Sequence, residues 1–162
     1  MTKIAKKLLS LLLAVIIVFG SAAIGVSGVI DWSLTAKAVN NYSGTAAATY
    51  ARYWWDTRNN DVWADYDLWG GDCANFVAQS IYNGGIPMTP QWYFHKRTGP
   101  NPNALSTERT ESFTMANGLK GHTTEANRSL YRYLISIGGE VRKNPDKSDI
   151  SVGDVLRFFV PW

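Results

Sequence analysis

The chain holds one cysteine, Cys73, and two histidines, His95 and His122, so nucleophilic attack by sulfur is the most specific chemistry its residues offer. A cysteine attacks as the thiolate, and a nearby base, usually imidazole, must take its proton and later return it to the leaving group. Cys73 stands in the run LWGGDCANFVAQSIYNGGI, Leu68 to Ile86, where a glycine-rich turn gives way to a helical pattern. Ala74, Val77, Ala78 and Ile81 keep the i, i+3, i+4, i+7 spacing of a buried face, and Gly84-Gly85 provides a left-handed stop. The spacing predicts a helix that starts at Cys73, with Gly70 and Gly71 making the turn and Asp72 as N-cap.

A thiol in the first turn of a helix meets the positive end of its dipole, which favours the thiolate. The carboxylate of Asp72 next door works against a second negative charge. The backbone N–H of Cys73 is placed to donate to an oxyanion. Asn75 and Gln79 lie two and six residues further on and suit buried amide hydrogen bonding. The other reading of Cys73 is a small buried hydrophobe, and the turn-to-helix context alone leaves both open.

Asp72-Cys73-Ala74-Asn75-Phe76-Val77-Ala78-Gln79, preceded by Gly70-Gly71 and followed by Tyr82-Asn83-Gly84-Gly85, resembles the signature of the bacterial putative amidase domain family. That pattern reads Gly-Gly-Asp-Cys-Thr-Asn-Phe-Val-Ser-Gln and then Gly-Gly, so Ala74 and Ala78 stand where the family has Thr and Ser. Upstream, Arg52-Tyr53-Trp54-Trp55 and Thr57-Arg58-Asn59 resemble the family's start, and Ser112-Phe113-Thr114 its Ser-Trp-Thr segment. The likeness runs from about Tyr42 to Val160. It implies the logic of papain-like cell-wall amidases and endopeptidases: Cys73 is the nucleophile, and a later histidine on the sheet is its base. It favours a structural role in the helix for Asn75 and Gln79.

Neither histidine matches that base. In such enzymes it follows the Gly-Asp-Val strand, which here is Gly153-Asp154-Val155, and both His95 and His122 precede it. Three explanations remain: the chain is cut short before its base, it is an inactive remnant, or His122 serves by a different geometry. The apolar, strand-like last residues favour the first, because a strand ending there leaves an unpaired hydrophobic edge. The reading frame is then expected to continue past Trp162 to a histidine.

Around this centre the elements fall in order. Residues 1–38 are set apart from the fold: Lys3, Lys6 and Lys7 precede the apolar run Leu8 to Phe19, and Ala36-Lys37-Ala38 gives a small-x-small cleavage site. A nearer site follows Ser21-Ala22-Ala23, and the apolar Ile24 to Ile30 could instead extend the segment into an uncleaved anchor. Cleavage after Ala38 is the favoured reading. Losing Lys3, Lys6, Lys7 and Lys37 with Asp31 takes 16 Lys+Arg and 13 Asp+Glu to twelve of each, so the net charge of +3 falls to zero. No basic surplus is left to draw nucleic acid, and no phosphate loop or metal-spaced cluster is found. One cysteine in an exported chain also rules out an internal disulfide.

Thr45 to Asp56 reads as an alanine-rich helix capped by Ser43, and Thr57 to Gly71 as the loop feeding Cys73. Ile86 to Glu111, with Pro87, Pro90, Pro100 and Pro102, reads as a long surface loop. A short helix from Ser112 to about Leu119 follows, then a clear one from Thr124 to Ile137 ended by Gly138-Gly139, and a strand from Val155 to Val160. The aromatic residues dense between Tyr50 and Trp69 suit either a core or a stacking surface for sugars, the core being favoured.

The reading is therefore one α+β domain over residues 39–162, papain-like, with helices first and the cysteine helix packed on an antiparallel sheet that is incomplete at its C-terminal side. The implied function is cysteine-dependent hydrolysis of amide bonds, with a peptide or peptidoglycan-type substrate. The expected setting is a monomer, secreted or in the cell envelope of a bacterium and touching the membrane through an uncleaved N-terminus alone. No cofactor or metal is implied. The rival function is a non-catalytic wall- or glycan-binding module that uses the aromatic cluster.

Overall fold

The computed structural model describes residues 29–35, 41–67, 72–95, 108–116 and 128–159. The expected turn at Gly70-Gly71 and the base candidate His122 lie outside the described residues. The fold is mixed helix and strand. In chain order it runs β1 (Val29–Thr35), α1 (Gly44–Trp54), α2 (Cys73–Asn83), β2 (Phe94–His95), β3 (Glu108–Arg109), α3 (Glu111–Thr114), α4 (Leu130–Ser136), β4 (Glu140–Lys143) and β5 (Val155–Phe159). Among the described residues no helix is long and apolar enough to cross a membrane.

Ser43 caps α1 as expected, its hydroxyl oxygen accepting from Ala46 N–H at 3.2 Å. Ala47, Ala48 and Ala51 are buried, and α1 packs closely on α2. Small side chains on that face let two backbones approach, which is why an alanine-rich stretch serves here. The predicted stripe of α2 is buried at every position: Ala74, Val77, Ala78 and Ile81. Gly84 still has helical angles, and the left-handed stop falls on Gly85 at φ 104°.

Three boundaries differ from the sequence reading. Residues 86–95 are not surface loop: Ile86, Trp92 and Phe94 are buried, and Phe94 and His95 pair with Arg109 and Glu108. Trp92 and Phe94 sit inside while Gln91 and His95 are exposed, a strand-like alternation that the flanking prolines obscure. The Ser112 helix ends at Thr114, because Met115 turns extended (φ −121°, ψ 127°). The helix α4 starts at Leu130, since Ser129 is extended (φ −155°) and its side chain accepts from Arg132 N–H; the expected start at Thr124 lies outside the described residues.

The core is largely aromatic. Trp92 stacks between Phe113 at 4.8 Å and Tyr133 at 5.1 Å, and Phe113 in turn lies 5.5 Å from Trp63. Leu130, Tyr133 and Leu134 of α4 join it, as do Val77, Ala78 and Ile81 of α2. The cysteine helix thus packs on α1 and α3, and the larger sheet meets the same core through Val155.

That sheet has three antiparallel strands in the order β4-β1-β5. Its central strand comes from the segment that the sequence reading sets apart as leader. Trp32 to Thr35 pair with Lys143 to Glu140 on one side, and Val29 to Leu34 pair with Phe159 to Val155 on the other, with a register shift between Ile30 and Trp32. Helices therefore do not come first in the described chain. Only the remainder of the leader, residues 1–28 and 36–38, lies outside the described residues.

Candidate functional site

Cys73 is the first residue of α2, and its side chain is half-buried. Asp72 stands at the N-cap position, yet its carboxylate makes no bond to the first-turn N–H groups. The expected capping role is corrected: the carboxylate is engaged by other donors. The Arg58 guanidinium pairs with one carboxylate oxygen, while Asn75 Nδ2 at 2.7 Å and Tyr66 N–H at 3.2 Å donate to the other. The Arg58 ion pair and these two donors occupy the carboxylate in place of the first-turn N–H groups. The helix start is closed by backbone alone, Phe76 N–H donating to the Asp72 carbonyl at 2.8 Å.

Arg58 also holds Asp65 at 3.3 Å and Asp67 at 2.5 Å. Partial burial tends to lower its pKa, but Asp72, Asp65 and Asp67 outweigh that and the net direction is upward. One cation thus faces three carboxylates beside the sulfur. Burial pushes the Asp72 carboxyl upward, against the pull of Asn75, Arg58 and the Tyr66 N–H.

Burial and neighbouring charge set the direction at Cys73. Burial first, then the charges of Asp72 and Asp67, push the thiol above its ordinary 9.0, and neither the backbone N–H bond nor Arg58 reverses the direction. The resting form at neutral pH is the thiol. Nucleophilic work at this sulfur therefore requires a base to remove the proton.

Asn75 is fully buried, and its amide nitrogen bridges Asp72 and the Ala64 carbonyl, the latter at 3.0 Å. It ties the preceding loop beneath the cysteine turn. Its Oδ1 has no hydrogen-bond partner among the described residues. Gln79, also buried, accepts from the Tyr50 hydroxyl at 2.9 Å and so fastens α2 to α1. Phe76, one turn after Cys73, lies 6.5 Å from the Tyr50 ring.

Asp72, Asn75 and Arg58 are thus brought together around Cys73, with Gln79 further along the same helix. His95 is exposed on the β2–β3 ribbon, its ring 5.2 Å from Tyr93. Sequence reasoning missed Arg58, Asp65, Asp67 and the Tyr50–Gln79 tie. A signal for the first three was present: Arg58 is the only Lys or Arg from Tyr53 to His95, in a stretch that also holds Asp56, Asp61, Asp65, Asp67 and Asp72. The aromatic cluster divides, Trp63 and Tyr66 being buried while Tyr53 and Trp55 are 72% and 60% exposed.

Compared with known proteins, residues 41–160 match the family model described as putative amidase domain. No curated protein and no solved structure matches the chain.

Proposed function

The chain belongs to the putative amidase domain family, and on that basis we propose that it is an exported hydrolase that cleaves amide bonds with Cys73 as nucleophile. The observation that carries this reading is the position of the lone sulfur: first residue of a helix, half-buried, inside the matched residues. The papain-like layering and the wall-peptide substrate are supported by the signature around Cys73 and by the export pattern of the N-terminus.

The chemistry follows from that position. A base removes the thiol proton and sulfur attacks the amide carbon. The electron pair moves to oxygen, where the Cys73 N–H at the first turn of α2 donates to it. Collapse of this intermediate expels the amine, which takes up the proton, and leaves a thioester on Cys73. Water then hydrolyses the thioester, releasing the acid and restoring the thiol. The candidate base in this chain is His122, which lies outside the described residues.

The test is release of amine from cell-wall peptides by the product of the whole reading frame. Cys73→Ser is expected to remove at least about 10³-fold of the rate, as loss of a nucleophile does. Hydrolysis that survives the substitution overturns the assignment. Loss of Cys73-dependent hydrolysis in His122→Ala, with unfolding unchanged, would make His122 the base.

Exposed Tyr53 and Trp55 favour one second reading, a glycan-binding module that stacks sugar rings on the end of α1. Saccharide binding lost in Trp55→Ala, together with no Cys73-dependent hydrolysis, would establish it instead.

A further inference from the structure

The larger sheet sets a condition on how the N-terminus is processed. β4 and β5 lie on either side of β1 and do not pair with one another. Every ladder bond of this sheet therefore involves Val29–Thr35. Removing that strand would strip partners from the facing edges of both neighbours, leaving rows of unpaired N–H and C=O groups. It would also leave β5, whose Val155 enters the main core, without the strand that holds it.

The two small-x-small positions differ in this respect. A cut after Ala38 takes β1 away, whereas a cut after Ala23 keeps it and leaves residues 24–28 as a lead-in. The spacing from the apolar run points the same way. That run ends at Phe19, close before Ala23 and far from Ala38. A leader of 23 residues falls within the usual length of about 15–30, and one of 38 exceeds it.

We propose that the exported chain is cut at the Ala23–Ile24 bond and that Val29–Thr35 stays in the mature protein as the central strand of its sheet. Water adds across that amide under a peptidase of the leader-removing class, leaving a carboxylate on Ala23 and a free amine on Ile24. The proposal rests on the export reading and not on the chemistry of Cys73.

Expression of the full chain in an exporting bacterium, with N-terminal sequencing and intact mass of the product, tests it. The expected N-terminus is Ile24; Ala23→Phe is expected to block processing and Ala38→Phe to leave it unchanged. In the mature product the amides of Val29–Thr35 should exchange at least about 100-fold more slowly than unstructured chain. An N-terminus at Val39, blocked by Ala38→Phe, overturns the proposal while leaving export intact. Met1 retained on a membrane-bound product overturns the cut in favour of an anchor. Met1 retained on a product confined to the cytoplasm overturns the export reading as well. Unprotected amides in 29–35 overturn the structural half.

Discussion

Asn75 donates to the carboxylate of Asp72 across one helical turn at 2.7 Å, and the same nitrogen reaches the Ala64 carbonyl at 3.0 Å. Through this one amide the loop before Cys73, the carboxylate beside it and the helix after it become one unit. Asn75→Ala removes both bonds, leaving the Ala64 carbonyl short of a donor and the Asp72 carboxylate with only Arg58 and the Tyr66 N–H. A loss of about 1–3 kcal/mol is expected in urea unfolding, from one unmet buried carbonyl.

Alkylation of Cys73 should follow the direction in which its surroundings push it. Its thiol is raised by burial and by Asp72, so iodoacetamide should react slowly near pH 7, and faster as pH climbs past the range of an ordinary thiol. Asp72→Asn removes the neighbouring negative charge and is expected to move the rate–pH profile toward lower pH. Stability carries the same sign: a folded pKa above the unfolded 9.0 gives a contribution present below that value and lost as pH rises through the folded one. Cys73→Ala should flatten that alkaline decline, as followed by thermal unfolding between pH 8 and 10.

Gly44 and Gly153 meet so closely that neither tolerates a methyl group. A Cβ on Gly44 would lie 2.1 Å from the Val152 carbonyl oxygen, and one on Gly153, whose φ is 96°, would lie 2.1 Å from the Gly44 Cα. Both obstacles are backbone. Alanine at either position is expected to cost about 3 kcal/mol or more, at the upper end of overpacking, measured as a shift in denaturation midpoint.

The aromatic residues should separate cleanly by position. Trp92→Ala empties the centre of the stack and is expected to cost about 3–5 kcal/mol. Trp55→Ala, on an exposed side chain, should stay within about 0.5 kcal/mol in the same assay. Its effect on saccharide binding then tests the non-catalytic reading without a stability artefact.

Local pattern carried much of this fold. The stripe of α2, the Ser43 cap, the stop at Gly138 and the β5 strand all rest on period, cap chemistry or a left-handed glycine within a few residues, and such signals are complete in sequence. Tertiary decisions were not. Asp72 has the residue type of a cap, and only the approach of Arg58 from fourteen positions upstream turns its carboxylate away. Ser129 starts α4 because its backbone is extended and its hydroxyl accepts from Arg132 N–H, which residue type alone does not decide. Val29–Thr35 carries the alternation of a strand in Ile30, Trp32 and Leu34, but it follows directly on an apolar leader, and its partners lie more than a hundred residues away. The helix start at Cys73 and the buried amide of Asn75 were legible. The ionic cluster behind them required seeing that Arg58 is alone among aspartates.

The claim on which the rest depends is that Cys73 forms a covalent bond to the acyl group of its substrate. Rapid quenching of the whole reading-frame product with a wall peptide, followed by peptide mapping in a mass spectrometer, reads this directly. An added mass equal to the acyl fragment is expected on the peptide that carries Cys73, absent from Cys73→Ala and discharged by hydroxylamine. Amine release at full rate with Cys73 unmodified throughout would contradict it.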